Sequence, residues 1–240
     1  MSDIRIRPFG KHTLLIEWPA VISPDIHAEL LAYRKLVKLF SDQIAETVIS
    51  YNAIALHLKP AQSPSALKKQ LEETLSLNEV IALKPTVCWE LPVCYNSKLA
   101  LDLDSFLESK QISLEALIDL HSGVDYHIYF CGFLPGFIYL GGLNSALHQA
   151  RLAVPRTRVP AGSVGIAGSQ TGIYPQESPG GWNLIGRCPV PIFNPLNSQR
   201  PSPFNAGQLL RFVAVSYKEY LDIEKQVASG IYQLTKKEIQ

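Results

Sequence analysis

Residues 132–187 carry 11 of the chain's 15 glycines. Glycine is placed where a side chain would clash or where φ must be positive, so this stretch predicts loops and strands whose bare backbone approaches something closely. It also holds four arginines, no lysine and a single acid, Glu177. Arginine rather than lysine suits a site where a planar, forked donor meets a carboxylate or phosphate. The local charge is +3 (four Arg minus one Glu) in a chain of net charge +1. That excess points to a small anionic ligand or an acidic partner surface.

The chain is long enough, at 240 residues, for one large domain or two of ordinary size. With 47% hydrophobic and 18% charged residues it is an ordinary globular sequence. A net charge of +1 argues against nucleic acid as a partner, which needs a broad basic face. No apolar run is long enough for a membrane span, and the opening MSDIRIRPFG lacks the apolar centre of a signal peptide. Cys88, Cys94, Cys131 and Cys188 form no C-x-x-C pair and have no histidine at zinc spacing, so no metal site is expected. Scattered thiols of this kind read as reduced, structural cysteines of a cytoplasmic protein.

The first 84 residues alternate strands and helices. Residues 4–9 and 14–18 are short apolar runs separated by Gly10-Lys11, a hairpin pattern. Ser23-Pro24-Asp25 supplies an N-cap, a first-turn proline and an early acid. The helix that follows shows one apolar face in Ile26, Leu30, Tyr33, Val37 and Phe40. Residues 47–51 and 53–58 read as two strands, and Ser63-Pro64 opens a second helix through Leu67, Leu71 and Leu75. The order ββαββα predicts a small α+β sandwich, residues 1–84, with helices on one face of an antiparallel sheet.

From residue 85 to 240 the texture changes. Residues 86–95 read as a strand, and 103–111 and 114–121 as helices, the second capped by Ser113 and stopped by Gly123. Strands are expected at 127–133, 164–167, 182–186 and 209–215, with glycine and proline turns between them, which suggests a β-barrel or sandwich. Five prolines between Pro189 and Pro203 mark a long connecting loop. Ser216 caps a last helix through Tyr220, Ile223 and Val227.

Candidate binding residues lie in three segments. In PRTRVPAGSVGIAG, Arg156 and Arg158 are two apart; on an extended chain both leave one face, where they repel unless an anion or acid lies between them. In GSQTGIYPQESPGGWNLIG, Gln170 and Thr171 offer polar groups between glycines, and the backbone at Gly180-Gly181 can turn toward a ligand. Tyr174 and Trp182 can wall a pocket while keeping a polar tip. In GFLPGFIYLGGL, Phe133, Phe137 and Tyr139 surround Pro135-Gly136 as an aromatic rim or a folded loop. No phosphate loop G-x-x-x-x-G-K-[ST] exists, and Gly162, Gly165 and Gly168 precede more β-structure rather than a dinucleotide-fold helix. His121 reads as a structural group at a helix end, and Asp102, Asp104, Asp119 and Asp125 as caps and surface charges. No nucleophile–base pair is specified by spacing, so the catalytic residues stay unknown.

Taken together and in order, GFLPGFIYLGGL, PRTRVPAGSVGIAGSQTGIYP and SPGGWNLIGR resemble the family of the B subunit of bacterial 5-oxoprolinase (PxpB), allophanate hydrolase subunit 1 and the kinase inhibitor KipI. LPVCY at 91–95 and LHS at 120–122 carry the match upstream. The resemblance implies a KipI-like N-terminal domain, then a cyclophilin-like β-barrel of the carboxyltransferase C/D kind over residues 85–240. It also implies a protein inactive alone, working with the C subunit of 5-oxoprolinase, which has a related barrel, and with the A subunit. That complex opens the lactam of 5-oxoproline to glutamate and uses ATP, with Mg, at the level of the assembly. A ring amide is a poor electrophile, and phosphorylating its oxygen makes the carbon attackable. 5-Oxoproline carries a carboxylate, which would suit Arg156 and Arg158.

The chain departs from that family after Tyr95, where relatives read GGE-x-GPDL and this chain reads NSKLALDL: Asn96, Ser97, Lys98, Ala100 and Leu101 differ, and Asp102 is kept. Leu134 and Val154 each stand where relatives have threonine. Two other functions follow from the same resemblance. One is a KipI-like inhibitor of a sensor histidine kinase, gripping its helical dimerisation domain with residues 133–139. The other is an allophanate- or urea-processing subunit.

Overall fold

The computed structural model describes residues 3–77 and 81–239. The chain divides into two compact units, Met1–Lys84 and Pro85–Gln240.

The first unit runs β1 (Arg5–Pro8), β2 (Thr13–Glu17), α1 (Pro24–Leu36) with a 3-10 turn at Val37–Phe40, β3 (Ile44–Ile49), β4 (Ala53–Leu58) and α2 (Pro64–Leu77). Ser23 Oγ accepts the Ile26 N–H and Pro24 occupies the first turn, so α1 starts at its sequence signals. The four strands form an antiparallel sheet in the order β1-β2-β4-β3. Strand side chains alternate, so Leu14 and Ile16 share a face in β2, as do Ile54 and Leu56 in β4. All four are fully buried, as are Leu30 of α1 and Leu67 and Leu71 of α2. Helix α2 packs on β1 and β2, and α1 on β4. β3 begins at Ile44, ahead of the expected residue 47, because Ile44 pairs with Leu58 across a bulge at Ile44/Glu46.

The second unit contains β5 (Val87–Val93), α3 (Leu103–Lys110), α4 (Leu114–Ser122), β6 (Asp125–Cys131), β7 (Ile138–Gly141) and a 3-10 turn at Ser145–Leu147. It continues with β8 (Arg156–Val159), β9 (Ser163–Ala167), β10 (Gln170–Ile173), β11 (Ser178–Gly180) and β12 (Asn183–Arg187). The chain then forms β13 (Leu209–Ala214), α5 (Tyr217–Ala228) and β14 (Thr235–Glu238). Eight strands make one sheet, ordered β12-β9-β10-β7-β6-β13-β5-β14, and β11 pairs with β8 as a separate ribbon. The core of this unit includes Leu91, Val93, Leu117, Ile128, Ile138, Val164, Ile166, Leu210 and Phe212. α3 packs on β12 and α4 on β13. Ser216 and Glu219 form a reciprocal capping box at the start of α5.

A closed barrel, the expectation above, is not what the strands form. The sheet curls until Cys94, just past β5, exchanges two hydrogen bonds with Arg187 at the end of β12 (2.9 and 3.0 Å). Beyond that single bridge no ladder joins the two ends among the described residues. The reason is local: β5 is already flanked by β13 and β14, so little of its edge remains for β12. The architecture is therefore mixed α/β with an open, curled sheet.

A directed polar chain crosses the interior of this unit. Tyr95 O–H lies 2.6 Å from His121 Nδ1, His121 Nε2 lies 3.0 Å from Thr171 Oγ1, and Thr171 donates to the Gly165 carbonyl at 3.0 Å. Because Thr171 uses its hydrogen on Gly165, it accepts from Nε2–H, and Nδ1 then accepts from Tyr95. This fixes a neutral imidazole, stacked on Phe212 at 4.5 Å. Burial agrees, holding His121 down to about 3 and His127 down to about 4. Free histidine titrates near 6.5, so below that pH the unfolded chain takes up protons that the folded chain refuses. The stabilisation is complete above about pH 6.5 and declines as pH falls toward the folded-state values. Urea unfolding between pH 7 and 4.5 is expected to show this loss. Replacing His121 by Gln should flatten the slope by up to about 1.4 kcal/mol per pH unit.

Candidate functional site

The glycine-rich stretch builds a cavity of about 260 Å³ in the second unit. Its walls are Phe133, Phe137, Tyr139, Tyr174 and Trp182, with Pro155, Pro179, Gly180, Gly181 and Arg151. Topology brings them together from distant positions. Phe137 stands just before β7 and Tyr139 within it, Tyr174 just after β10, and Trp182 just before β12. Register places Gly172 of β10 opposite Tyr139 of β7. A Cβ on Gly172 would lie 2.8 Å from the Ile138 carbonyl and 3.1 Å from both the Phe137 and Trp182 rings. Glycine there lets those two rings close over the sheet.

Phe137 is the hub. Its ring meets Tyr174 at 5.2 Å and Trp182 at 5.4 Å, both edge-to-face, Tyr139 at 4.9 Å and Phe133 at 5.7 Å. Edge-to-face pairs satisfy the ring quadrupoles, each contributing about 0.5–1.5 kcal/mol beyond area burial. Phe137, Tyr174 and Trp182 are buried, whereas Phe133 is 64% exposed. Phe133 also holds φ at +68°, a left-handed conformation unusual for an aromatic residue, which turns its ring to the lip of the cavity. Gly180 completes the floor: a Cβ there would come within 2.8 Å of Tyr174 ring carbons. Burial raises the phenols of Tyr139 and Tyr174, and in both the nearby Arg151 charge partly opposes the rise.

The expected polar residues are distributed differently. Arg156 pairs with Asp102, and that carboxylate also accepts the Leu184 N–H at 2.7 Å. Asp102 thus ties the start of α3 to β12 rather than capping the helix with its side chain. Arg158 binds Glu177 at 2.6 Å on the surface. Any anion approaching either arginine competes with a carboxylate already in place. Thr171 is buried in the polar chain through His121. Gln170 is partly exposed at the start of β10, opposite Ala167. Neither Gln170 nor Thr171, nor either of the two arginines, lines the cavity with the aromatic rings.

Arg151 does line it, and sequence reasoning passed it over. Its neighbours fix it from both sides: Asn183 Nδ2 donates to the Ala150 carbonyl at 2.8 Å, and the Leu152 N–H donates to the Gly181 carbonyl at 2.8 Å. Gln149 exchanges two further backbone bonds with Gly168. Arg187 donates to the Ala161 carbonyl at 3.1 Å. Among the described residues, Arg151 alone of the four arginines has neither a carboxylate nor a carbonyl partner. Its signal in the sequence was membership of an acid-poor stretch, without a second arginine two residues away to draw notice.

The spaced glycines do not open onto a phosphate-binding helix. Gly165 lies inside β9, Gly162 and Gly168 flank it, and β10 follows instead of a helix that could hold phosphate at its N-terminus. No group of three His, Cys, Asp or Glu side chains among the described residues could hold a metal ion. No described helix is long and apolar enough to cross a membrane.

Comparison with known proteins places this geometry in a family. The family described as carboxyltransferase domain, subdomain C and D, matches residues 4–204. A Bacillus subtilis protein named as the B subunit of 5-oxoprolinase is 44% identical over 131 residues, 55% of this chain and 54% of that protein. The chain's match thus spans about half of that relative's length. A protein of the same name from Haemophilus influenzae is 35% identical over 210 residues, 88% of this chain and 97% of its own length. Among solved structures, the Kluyveromyces lactis urea amidolyase superposes on 98% of this chain with a TM-score of 0.81, using 16% of its own length. At 18% identity that likeness concerns the fold alone. The chain belongs to the family of carboxyltransferase domain, subdomains C and D, within which it groups with proteins named as the B subunit of 5-oxoprolinase.

Proposed function

We propose that this chain is a non-autonomous component of an ATP-dependent 5-oxoprolinase, which hydrolyses 5-oxoproline to glutamate together with partners equivalent to its A and C subunits. The observation that carries the reading is the cavity walled by Phe137, Tyr174 and Trp182 and floored by bare backbone at Gly180 and Gly181. A flat five-membered lactam presents two apolar faces and a polar edge. Aromatic walls suit the faces, and glycine backbone lets a polar edge come close without a Cβ in the way.

In this role the chain binds and orients the lactam and excludes water from its faces. Hydrolysis adds water to the ring carbonyl carbon, breaks the C–N bond and leaves the nitrogen as the amine of glutamate. In this reading ATP is used at the level of the assembly.

Reconstitution tests the reading. Purified components mixed with ATP and 5-oxoproline should release glutamate, and leaving out this chain should reduce release to background. Release that continues unchanged without it would refute the proposal.

A further inference from the structure

Among the described residues Arg151 is the one cation on the aromatic cavity, and backbone contacts on both sides of it fix the segment that carries it. The Ala150 carbonyl is clamped by Asn183, whose same Nδ2 also reaches the Ile166 carbonyl of β9 at 3.1 Å. The Leu152 N–H is bonded to Gly181, itself a wall of the cavity. The backbone on either side of Arg151 is therefore anchored to β9 and to the Gly180-Gly181 turn, while the guanidinium donors have no protein acceptor among the described residues. A planar, forked donor over an apolar, ring-lined hollow is the arrangement that recognises a carboxylate carried on a small flat ring. Arg156 and Arg158 cannot serve this hollow equally, because each already holds a carboxylate.

We propose that Arg151 is the carboxylate receptor of the cavity and selects small cyclic carboxylates over neutral amides of the same shape. The inference rests on the cavity's being the substrate site. Its test uses three probes: 5-oxoproline, pyrrole-2-carboxylate and the uncharged lactam pyrrolidin-2-one. Binding is followed by calorimetry and by the NMR signal of the Trp182 indole N–H, in wild type, Arg151→Gln and Arg151→Lys.

Both carboxylates should bind wild type and move the Trp182 signal, and pyrrolidin-2-one should bind far more weakly. Arg151→Gln should weaken the carboxylates by about 10- to 100-fold, the equivalent of about one charge-assisted hydrogen bond, and leave pyrrolidin-2-one unchanged. Arg151→Lys should recover part of the loss, because it restores charge without the fork. Arg151 is exposed, so neither variant should unfold the protein, and thermal melts check this directly. Equal binding of 5-oxoproline by wild type and Arg151→Gln overturns the inference and leaves the 5-oxoprolinase reading in place. Arg151-dependent binding of pyrrole-2-carboxylate without binding of 5-oxoproline upholds the inference and counts against that reading. If neither carboxylate binds wild type, Arg151 is not a receptor.

Discussion

Alanine in place of Asp102 is expected to lower the stability of the second unit by about 3 kcal/mol, the lower end of the cost of breaking a buried ion pair, because Arg156 keeps some contact with water. Two losses coincide at that position. Arg156 would keep its charge with no carboxylate to meet it, and one of its nitrogens, Nη1, is already buried with no hydrogen-bond partner among the described residues. The buried Leu184 N–H would lose its acceptor as well. The Asp102 backbone N–H donates to the Leu184 carbonyl, and with the side-chain half of that pairing gone the start of α3 should loosen. The double variant Asp102→Ala/Arg156→Met removes the stranded charge and should recover a large share of the loss. Urea unfolding of both variants checks this, and equal stability of wild type and Asp102→Ala would contradict it.

Phe137→Ala should have a comparable or larger effect, about 3–5 kcal/mol, the usual cost of truncating a buried phenylalanine. Phe137 is 1% exposed and touches four other aromatic rings, so its removal opens a hole among Phe133, Tyr139, Tyr174 and Trp182. The same substitution deletes the central wall of the cavity. Both the melting temperature and the binding of 5-oxoproline should fall. Phe137→Leu, which keeps most of the volume, should retain much of the stability while losing the edge-to-face ring contacts.

Much of the local structure was readable because it depends on neighbours in sequence. Ser23-Pro24 starts α1, Ser113 caps α4, Ser216 caps α5, and residues 53–58 form β4 as expected. The missed strands lack such local signals. β14 reads TKKE, exposed at all four positions, and exists because β5 offers it an edge. β7, IYLG, was hidden inside an aromatic segment that could equally fold as a loop, and only its partners β6 and β10 make it a strand.

The site divides along the same line. The five aromatic residues and the Gly180-Gly181 turn were legible as wall material, since rings and glycines crowd the same segments. What each arginine meets was not. Asp102 is 54 residues from Arg156, and Glu177 is 19 residues from Arg158, so neither pairing leaves a trace in local spacing. Arg151 gained its place through Asn183 and Gly181, about thirty residues away, for the same reason.

A crystal structure of the chain with 5-oxoproline would bear most directly on the central claim. The account predicts ligand density between Phe137, Tyr174 and Trp182, with the carboxylate on the Arg151 guanidinium and the ring edge toward Gly180 and Gly181. Ligand density elsewhere on the second unit, with that cavity holding only water, would contradict it.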